Sequence, residues 1–540
     1  MTLPFLVYTV LILIGCLFLV ALIMSLPNKT SRRFTEKAET LAEYSTDASW
    51  FKITPRRVYF PKSVAEIVEI VKESVMRKEV GEKVSLSVRA GGTCMSGGSL
   101  NEDVILDLTK HLKKVVVDPD AKIATVEMGA YFRDVEDEAA KHGLMFAAYP
   151  SSHRLCGIGG MIGNNASGEK SLRGGATGDN LLELEVVLSD GSVQTLKKKS
   201  LAGKDLTETD KKIIELFDKK GKELALAMGE VKKAASGYRL DKVIAGRDFS
   251  AIPLFAGSQG TLGIITKAVL KLVPIPKYTE LAVVSAKQLA DLPQIVNVAF
   301  EHNPESLETF DINTFNKAKA HLAEHAKHFI PYIDETAALF ILVQFSEETK
   351  AKTKEQAEAF TAKLKEQGFK VEYIKKPLDV ASAWQLRRNS FTLMRDYNAK
   401  GERAVPCIED VIVPVPALGE FIAELLVLLE KYTEHYGFHG HIGDGSLRII
   451  PVFDFKQKTA MDNMLKLMDE VFVLVKKVQG NISADHSDGI IRTPFLKDFY
   501  GADLYKVFKE IKTIYDPFGI MNVNKKVGGT KKMIEKYFRK

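Results

Sequence analysis

The longest apolar stretch of the chain lies at its start. Residues 1–28 carry no charged side chain, and residues 4–26 are almost wholly apolar. At about 1.5 Å of rise per residue, a helix of this length spans the roughly 30 Å of bilayer hydrocarbon. A cleaved signal peptide would place a basic residue ahead of a shorter apolar run, and none precedes this one. We expect residues 1–28 to form an uncleaved, single-pass transmembrane anchor.

Basic residues follow the apolar run directly, at Lys29, Arg32 and Arg33. Positive charge at one end of a membrane span is typical of its cytoplasmic side. The rest of the chain is therefore predicted to lie in the cytoplasm at the inner membrane, with the N-terminus outside.

Beyond this run, short apolar stretches alternate with amphipathic ones. Helical spacing of apolar residues predicts helices at 64–75, 132–142 and 347–367. Alternating and β-branched runs predict strands at 84–88, 104–108, 115–117, 124–128, 184–189, 339–345 and 368–374. The alternation of strand and helix in the second half indicates a sheet backed by helices.

Composition excludes some classes of function. A chain of 540 residues is too long for a single core, so two or more domains are expected. The net charge of +6 comes from basic residues spread along the chain, which argues against nucleic-acid binding. The four cysteines lie far apart without a CxxC pair, which argues against an iron–sulfur cluster or a structural zinc.

Two charged segments are predicted to be peripheral. The Lys- and Glu-rich stretch 200–235 is expected to be a solvated helical insertion. The basic residues 525–540 are expected to form a loosely packed tail, which either lies near anionic lipid or simply aids solubility.

Three glycine-rich stretches stand beside strand-like runs. They are 89–99 (RAGGTCMSGGS), 150–168 (PSSHRLCGIGGMIGNNASG) and 257–265 (GSQGTLGII). Glycine lets a backbone approach a ligand closely, and successive N–H groups in such loops form a concave anion site. Three such loops in order predict one large, phosphate-bearing ligand that several loops hold together.

These stretches resemble the flavin-binding segments of the FAD-binding oxidoreductases of the vanillyl-alcohol oxidase superfamily. Within it they most resemble the branch of D-lactate dehydrogenase and D-2-hydroxyglutarate dehydrogenase. Three later stretches agree, namely 439–448 (HGHIGDGSLR), 484–489 (ADHSDG) and 515–522 (YDPFGIMN). The resemblance runs from about Pro55 to about Lys526, and it is specific for the family rather than for the substrate.

The resemblance implies an α+β fold. It consists of a two-subdomain PCMH-type FAD-binding domain and an α/β cap domain for the substrate, with the N-terminal transmembrane helix ahead of them. The expected divisions are an anchor at 1–28, a linker at 29–54, the FAD-binding domain at 55–273, the cap domain at 274–478, a segment that returns to the flavin site at 479–526, and a basic tail at 527–540. Pro274 and Pro276 mark the end of the FAD-binding domain.

The resemblance also implies FAD as the cofactor. Its pyrophosphate would lie on backbone N–H groups of the glycine loops. Some relatives attach the flavin to a histidine of the first loop, which has none here, so the FAD is expected to be non-covalent. The positions that match cofactor-contacting residues are Arg89, Gly91, Gly92, Thr93, Ser96, Gly97, Gly98, Ser99, Pro150, Ser151, Gly159, Gly160, Asn165, Ser167, Gly168, Gly260, Thr261, Gly263, Ile265 and Asn522.

Oxidation of a 2-hydroxy acid needs a base for the hydroxyl proton, a flavin for the hydride and a cation for the carboxylate. His486 is the family-like candidate for the base, a role that suits the near-neutral pKa of histidine. Arg387 lies in the family's Trp-x-x-Arg context and is the candidate for binding the carboxylate. Arg388 stays an alternative, because spacing cannot separate the two arginines.

Relatives with a divalent metal carry two histidines seven residues apart and an acid just before the base. His441 and Asp485 match the first and third of these, but Arg448 stands at the second. A fixed positive charge in place of an imidazole argues against the usual metal site. No metal is therefore expected, with His441 and Asp485 as weak candidates, and Arg448 is predicted to take over part of the metal's electrostatic role.

One position bears on the substrate. Relatives that use dicarboxylates carry a lysine six residues before a proline that ends a strand. Here the matching proline is Pro414, and the residue six positions before it is Ile408. This favours a monocarboxylate such as D-lactate or glycolate. We expect a membrane-anchored FAD-dependent dehydrogenase that oxidises a D-2-hydroxy acid and passes electrons to quinone or another acceptor. Two alternatives stay open: an aldonolactone or sugar-alcohol oxidoreductase of the same superfamily, and a non-enzymatic flavoprotein subunit of a larger complex.

Overall fold

The computed structural model describes residues 34–224, 228–395 and 401–539. The first half of the chain contributes four small sheets. One has four strands, in the spatial order Phe34–Thr35, Arg57–Tyr59, Val104–Asp107 and Leu86–Arg89. Another has five strands, in the order Val115–Asp118, Ile123–Glu127, Ile264–Lys271, Leu181–Val187 and Val193–Lys197. The two smallest join Lys199–Ser200, Asp248–Phe249 and Ile244–Ala245 in one, and Val273–Pro274 with Leu144–Met145 in the other.

The second half is built on one eight-stranded sheet. Its strands run in the order Lys370–Ile374, Tyr278–Ala286, Leu339–Glu347, Ser306–Asp311, Tyr436–His441, Ser446–Asp454 and Glu402–Ala404, and Val411–Ile412 also pairs with Ser446–Asp454. The strand Leu339–Glu347 is buried at every position except its last. A nearly continuous apolar run fits this central place, because both faces of the strand are covered.

Helices cover these sheets and connect their strands. They are Ala38–Glu43, Val64–Glu79, Phe132–Ala140, Ile158–Asn164, Ser171–Gly174, Glu208–Lys220, Ile252–Phe255, Leu292–Glu301, Ile312–His321, Ala323–Phe329, Lys350–Glu366, Pro377–Arg388, Ser390–Arg395, Leu418–Tyr432, Ala460–Lys477, Gly489–Arg492, Leu496–Tyr515 and Lys531–Tyr537. Several begin where the sequence provides a cap, as when Ser63 accepts a hydrogen bond from the Glu66 N–H. The helix Leu496–Tyr515 kinks at Gly501, whose φ is 82°.

The strands and helices predicted from the apolar pattern are present, with ends that differ by a few residues. Ser306–Asp311 and the hairpin Tyr436–His441/Ser446–Asp454 were not among the predictions, and they lie next to each other in the large sheet. This hairpin turns at Gly445, where a positive φ of 78° suits a residue without a side chain.

The expectation for residues 200–235 was only partly right. The stretch begins with the predicted helix, Glu208–Lys220. Its later part is not a solvated surface, since Lys233, Ala234 and Ala235 are buried. The ammonium of Lys233 lies 3.0 Å from Asp444 and 3.5 Å from Asp485, so its charge has partners in the interior.

The expectation of a loosely packed tail was wrong. The helix Lys531–Tyr537 and the residue after it pack on the N-terminal segment, with Ile534 fully buried and the Phe538 ring 6.4 Å from that of Phe51. Lys526 is also buried, and its ammonium lies 2.7 Å from Asp488. Apolar residues spaced along the basic tail, such as Ile534 and Phe538, allow it to pack against the core.

Among the described residues, no helix is both long and apolar enough to cross a membrane. The anchor predicted at 1–28 lies outside the described residues and stays a prediction.

Candidate active site

A cavity of about 610 Å³ is lined by all three glycine-rich stretches. The far part of its wall comes from the end of the helix Pro377–Arg388, from the large sheet and from the loop around His486. The predicted cofactor positions on this wall are Arg89, Gly91, Gly92, Thr93, Gly98, Ser99, Pro150, Ser151, Gly159, Gly160, Ser167, Gly260, Gly263 and Ile265. The predicted catalytic residues Arg387, Arg448 and His486 line the same cavity.

Other predicted cofactor positions hold the loops rather than line the cavity. They are Ser96, Gly97, Asn165, Gly168, Thr261 and Asn522. The Asn522 amide donates to the carbonyls of Gly98 at 2.8 Å and Gln259 at 2.6 Å, so it joins the first and third loops. A Cβ at Gly168 would lie 2.1 Å from the Tyr149 carbonyl oxygen, which leaves room only for glycine.

The wall suits a polar, phosphate-bearing ligand. Arg89 Nη1 and Ser99 Oγ are buried and have no hydrogen-bond partner among the described residues. A Cβ at Gly160, Gly163 or Gly260 would meet no protein atom closer than 3.7 Å, so these backbones border open space. Free donors beside exposed backbone match the requirements of an FAD pyrophosphate and its neighbouring hydroxyls.

The polar end of the cavity is built on one face of the large sheet. Within the hairpin, His439 lies opposite Arg448 and His441 lies opposite Ser446. Because side chains alternate between faces, the side chains of His439, His441 and Arg448 share one face. Glu308, on the neighbouring strand, reaches this face and contacts His441 Nδ1 at 2.8 Å with both carboxylate oxygens.

Glu409 holds the predicted base. Its carboxylate oxygens lie 2.9 and 3.0 Å from Nδ1 of His486. Arg448 Nη1 lies 2.8 Å from His486 Nε2. The assignment that satisfies both contacts is a neutral imidazole that donates from Nδ1 to Glu409 and accepts at Nε2 from Arg448.

This environment tunes the base. Burial lowers the pKa of His486, but the carboxylates of Glu409 and Asp410 together outweigh burial and leave that pKa above its usual value. Glu409 is itself fixed by Arg492, whose Nη2 lies 2.6 Å from the carboxylate and 2.7 Å from the Glu409 carbonyl. Asp410 accepts the backbone N–H of His486 at 2.8 Å, so residues 409 and 410 position both the ring and the backbone of His486.

Arg448 lies at the centre of the charged groups. Its Nη2 is 2.5 Å from Asp485 Oδ1 and 3.1 Å from His441 Nε2. Lys233 lies on the other side of Asp485, 3.5 Å from Oδ2, and also donates to Ser167 Oγ at 2.7 Å. Burial raises the pKa of Asp485, but the charges of Arg448 and Lys233 outweigh burial and hold it well below its usual value.

A divalent ion does not fit between the weak metal candidates, because the Arg448 guanidinium already lies between His441 and Asp485. In the part of the chain that the structure describes, the ligand atoms of Glu409, Asp410 and His486 alone lie close enough together for a metal, within 4.8 Å of one another. Glu409 in this group is paired with Arg492 and lies 3.5 Å from Arg448. Two guanidinium groups beside one ligand oppose the binding of a further cation.

The structure distinguishes the roles of Arg387 and Arg388, which their spacing in the sequence could not distinguish. Arg388 is committed to Glu169, which it contacts at 2.9 and 2.5 Å in a bidentate pair. Arg387 Nη2 lies 2.7 Å from Glu308 Oε2, yet its Nε and Nη2 have no aligned hydrogen-bond acceptor among the described residues. Both arginines border the cavity, but Arg387 is the one with hydrogen-bonding capacity left for a carboxylate.

Several residues of this end were missed by the sequence analysis, namely Lys233, Glu308, Glu409, Asp410, His439 as a cavity residue, and Arg492. Glu409 and His486 are 77 residues apart in the chain, so no local motif joins them. The one available signal was a pair of acids, Glu409 and Asp410, inside an otherwise apolar strand-like run at 404–413. Buried charges in such a run are rare unless they have partners.

Two known families match the chain. The FAD binding domain matches residues 55–197, and the C-terminal domain of FAD linked oxidases matches residues 275–525. Together they cover most of the chain, including the first two of the three glycine-rich stretches. They also include Arg448 and the residues that contact it.

Individual proteins agree with these matches. The chain is 28% identical over 510 residues to D-2-hydroxyglutarate dehydrogenase of Haemophilus influenzae, with 89% of this chain and 49% of that protein covered. It is 25% identical over 496 residues to D-lactate dehydrogenase of Archaeoglobus fulgidus, with 89% and 96% covered. The chain thus spans about half the length of the first of these relatives and nearly all of the second.

The fold has known counterparts as well. The structure of p-cresol methylhydroxylase with substrate bound superposes with a TM-score of 0.67 at 16% identity, over 92% of this chain and 94% of that one. The predicted resemblance and the mixed α/β PCMH-type fold are confirmed. The chain contains the FAD binding domain and the C-terminal domain of the FAD-linked oxidases, and FAD is its cofactor.

Proposed function

We propose that the chain is a dehydrogenase that oxidises a D-2-hydroxy monocarboxylic acid, such as D-lactate or glycolate, to the 2-oxo acid. The observation that carries this proposal is the position of His486 on the wall of the FAD cavity, held between Glu409 and Arg448. A base with a raised pKa and two guanidinium groups beside one cavity provide what removal of a hydroxyl proton from an anionic substrate requires.

Each residue has a distinct task. Arg387 binds the substrate carboxylate, while Glu308 holds its guanidinium in place. His486 accepts the hydroxyl proton at Nε2, and the substrate hydroxyl replaces the contact that Arg448 makes there. The same Arg448 guanidinium then lies beside the oxygen on which negative charge develops, and it stabilises that charge as a metal ion does in other enzymes. Bound FAD supplies the acceptor for the hydride of C2.

The arginine's own environment supports this electrostatic role. Arg448 faces the carboxylates of Asp485, Glu409 and Asp410, which balance its charge within the fold. A guanidinium cannot lose its proton under ordinary conditions, so the positive charge is permanent. The site therefore has a fixed positive charge without needing to recruit one.

The residues of the cavity wall also favour a small substrate with one carboxylate. Ile408, where a dicarboxylate-binding lysine would stand, is fully buried and is absent from the described residues that line the cavity. Arg388 is neutralised by Glu169. Arg387 also lies beside an acid, Glu308, but its Nε and Nη2 have no aligned acceptor among the described residues, so we assign the substrate carboxylate to Arg387. We assign no second cation of this wall to a second carboxylate.

The direct test is anaerobic bleaching of the bound flavin by a panel of compounds. The panel comprises D-lactate, L-lactate, glycolate, D-2-hydroxyglutarate, a polyol and an aldonolactone. We expect bleaching by D-lactate or glycolate and much slower bleaching by D-2-hydroxyglutarate. Bleaching by the polyol or the lactone alone would contradict the proposal, and a yellow protein that no compound bleaches would favour a non-enzymatic flavoprotein.

We also propose that residues 1–28 anchor the enzyme in the inner membrane with its body in the cytoplasm, where membrane quinone can accept the electrons. The support is the uncharged run followed by Lys29, Arg32 and Arg33. Protease added to intact cells should spare the body and digest it only after lysis. Digestion of the body from outside would reverse this topology.

A further inference from the structure

His439 is a buried histidine of the cavity wall without a partner. It is 3% exposed and lies on the strand Tyr436–His441, directly opposite Arg448. Its Nδ1 is buried, and its ring makes no hydrogen bond to any described residue. Leaving such a group unpaired costs free energy, so an unpartnered ring on a cavity wall indicates that a bound ligand completes it.

The other two histidines of the site differ in this respect. His441 contacts Glu308 through Nδ1 and Arg448 through Nε2, while His486 contacts Glu409 and Arg448 in the same way. Both of their ring nitrogens therefore have protein partners. Of these three rings, His439 alone makes no hydrogen bond to a described residue.

Burial lowers the pKa of His439 well below its usual value and keeps the ring neutral. The guanidinium groups of Arg387, on the helix Pro377–Arg388, and of Arg448, on the paired strand, lower that pKa further, as does His486 whenever it is protonated. A neutral imidazole in this place has one N–H donor and one acceptor to offer.

We propose that His439 hydrogen-bonds directly to an oxygen of the bound 2-hydroxy acid, between the carboxylate held by Arg387 and the hydroxyl that faces His486. This inference rests on the proposed function and adds a substrate-binding residue to it. His439 is not the base, because an imidazole beside two guanidinium groups is a poor proton acceptor compared with His486 beside Glu409. Its task is to orient the substrate and to distinguish a hydroxy acid from a molecule without the matching oxygen.

Two nearly isosteric substitutions test this role. His439→Gln keeps a hydrogen-bonding end, whereas His439→Met replaces it with an apolar one of similar length. The exposed His142→Gln serves as the control for an ordinary histidine substitution. For each protein the dissociation constant of pyruvate, a 2-oxo acid product, is measured from the change that it causes in the flavin absorbance. The values of kcat and KM for the best hydroxy acid are measured beside it.

We expect His439→Met to weaken pyruvate binding and to lower kcat/KM, each on the order of 10- to 100-fold, the usual effect of deleting a hydrogen bond to a charged ligand. His439→Gln should stay within about fivefold of wild type on the same scale. All variants should keep bound FAD. If His439→Met loses FAD, the pair His439→Leu and His439→Asn makes the same comparison.

The possible outcomes separate this inference from the proposed function. Wild-type pyruvate binding by His439→Met, or an equal loss in the Gln and Met variants, would show that the ring serves packing and would overturn the inference alone. A wild-type protein that neither binds pyruvate nor is reduced by any 2-hydroxy acid would contradict the proposed function and the inference together.

Discussion

The guanidinium of Arg448 joins groups that come from distant parts of the chain. It contacts His441 on its own hairpin, Asp485 and His486 on a later loop, and the carboxylate of Glu409. In the proposed mechanism this one side chain supplies the positive charge beside the substrate oxygen and also fixes the residues around it.

Replacement of Arg448 should slow the reaction without removing the cofactor. Loss of a group that stabilises a developing oxyanion typically costs about 3 kcal/mol, or roughly a hundredfold in rate. We expect that loss for Arg448→Ala in the rate of anaerobic flavin reduction, with FAD retained. Arg448→Lys, which keeps the charge but not the planar fork, should lose less. A fully active Arg448→Ala would mean that the arginine only pairs with Asp485 in a structural network.

Replacement of the base should have a similar or larger effect. His486→Ala removes the group that accepts the hydroxyl proton, and general-base catalysis contributes on the order of 10² to 10⁴ in rate. Flavin reduction should slow by that factor while the flavin spectrum of the resting protein is unchanged. A His486→Ala protein that is reduced at the wild-type rate would rule out His486 as the base.

The Glu409→Gln variant tests whether Glu409 orients the base, because His486 itself is still present. Only neutral His486 can accept a proton, so activity rises with pH through the His486 pKa. Because the Glu409 carboxylate raises that pKa, its removal should move this limb of the kcat/KM profile to lower pH. The maximal rate should also fall by at least about tenfold, since the amide no longer fixes the reactive tautomer.

The pH profile of kcat/KM is the measurement, with the exposed helix residue Glu215→Gln as control. An unshifted limb with an unchanged maximum would show that Glu409 does not act on His486.

Sequence patterns located some of these residues and could not locate others. His486, Arg387 and Arg448 lie within family-like motifs, and a motif fixes a residue's role through its neighbours in the chain. Glu409 and Lys233 act on the same site from segments with no such motif. Their function comes from three-dimensional proximity, which no local spacing encodes.

The three glycine loops also show what a local sequence pattern can predict and what depends on packing. Their order predicted a single ligand cavity, and all three line one cavity in the structure. Individual glycines serve different ends, since Gly160 borders open space while Gly168 is packed against the Tyr149 carbonyl. A sequence shows that a loop is rich in glycine, but only the packing shows which glycines face the ligand.

Gly160 offers a test of the cofactor wall. It lies within the helix Ile158–Asn164, where a Cβ would meet no protein atom closer than the Ala90 Cβ at 3.7 Å. Gly160→Val should therefore fold but obstruct the cofactor, and we expect the FAD dissociation constant to rise at least about tenfold, or 1.4 kcal/mol. Gly160→Ala should have a smaller effect, with a gain in helix propensity of about 1 kcal/mol in the apo-protein.

The measurements are titration of the apo-protein with FAD and its thermal unfolding. An unchanged FAD affinity in Gly160→Val would place the cofactor elsewhere.

For the whole molecule, the periodicity of apolar residues was sufficient to predict a mixed α/β chain with a helix-backed sheet in its second half. It was not sufficient for the packing of the C-terminal residues, because Phe538 finds its partner Phe51 nearly 500 residues away. Contacts between chain ends depend on the complete fold. The same holds for the charged groups of the active site, which the fold gathers from six separate segments, at 233, 308, 387–388, 409–410, 441–448 and 485–492.

The cofactor should be bound tightly but without a covalent bond. The first glycine loop has no histidine for such a link, while Arg89 Nη1 and Ser99 Oγ offer free hydrogen-bonding groups. Acid precipitation should release all the yellow colour into the supernatant as FAD. Colour on the denatured pellet would contradict non-covalent binding, and FMN in the supernatant would contradict the expected pyrophosphate.

The central claim is that this site oxidises a D-2-hydroxy acid with the Arg448 guanidinium, rather than a metal ion, beside the reacting oxygen. The most direct measurement is the rate of anaerobic flavin reduction by D-lactate or glycolate in protein treated with EDTA and then freed of the chelator. We expect complete reduction at the rate of the untreated protein, with no gain on addition of zinc or manganese. Loss of reduction with EDTA, restored by zinc or manganese, would contradict the claim and show that a metal binds through other ligands.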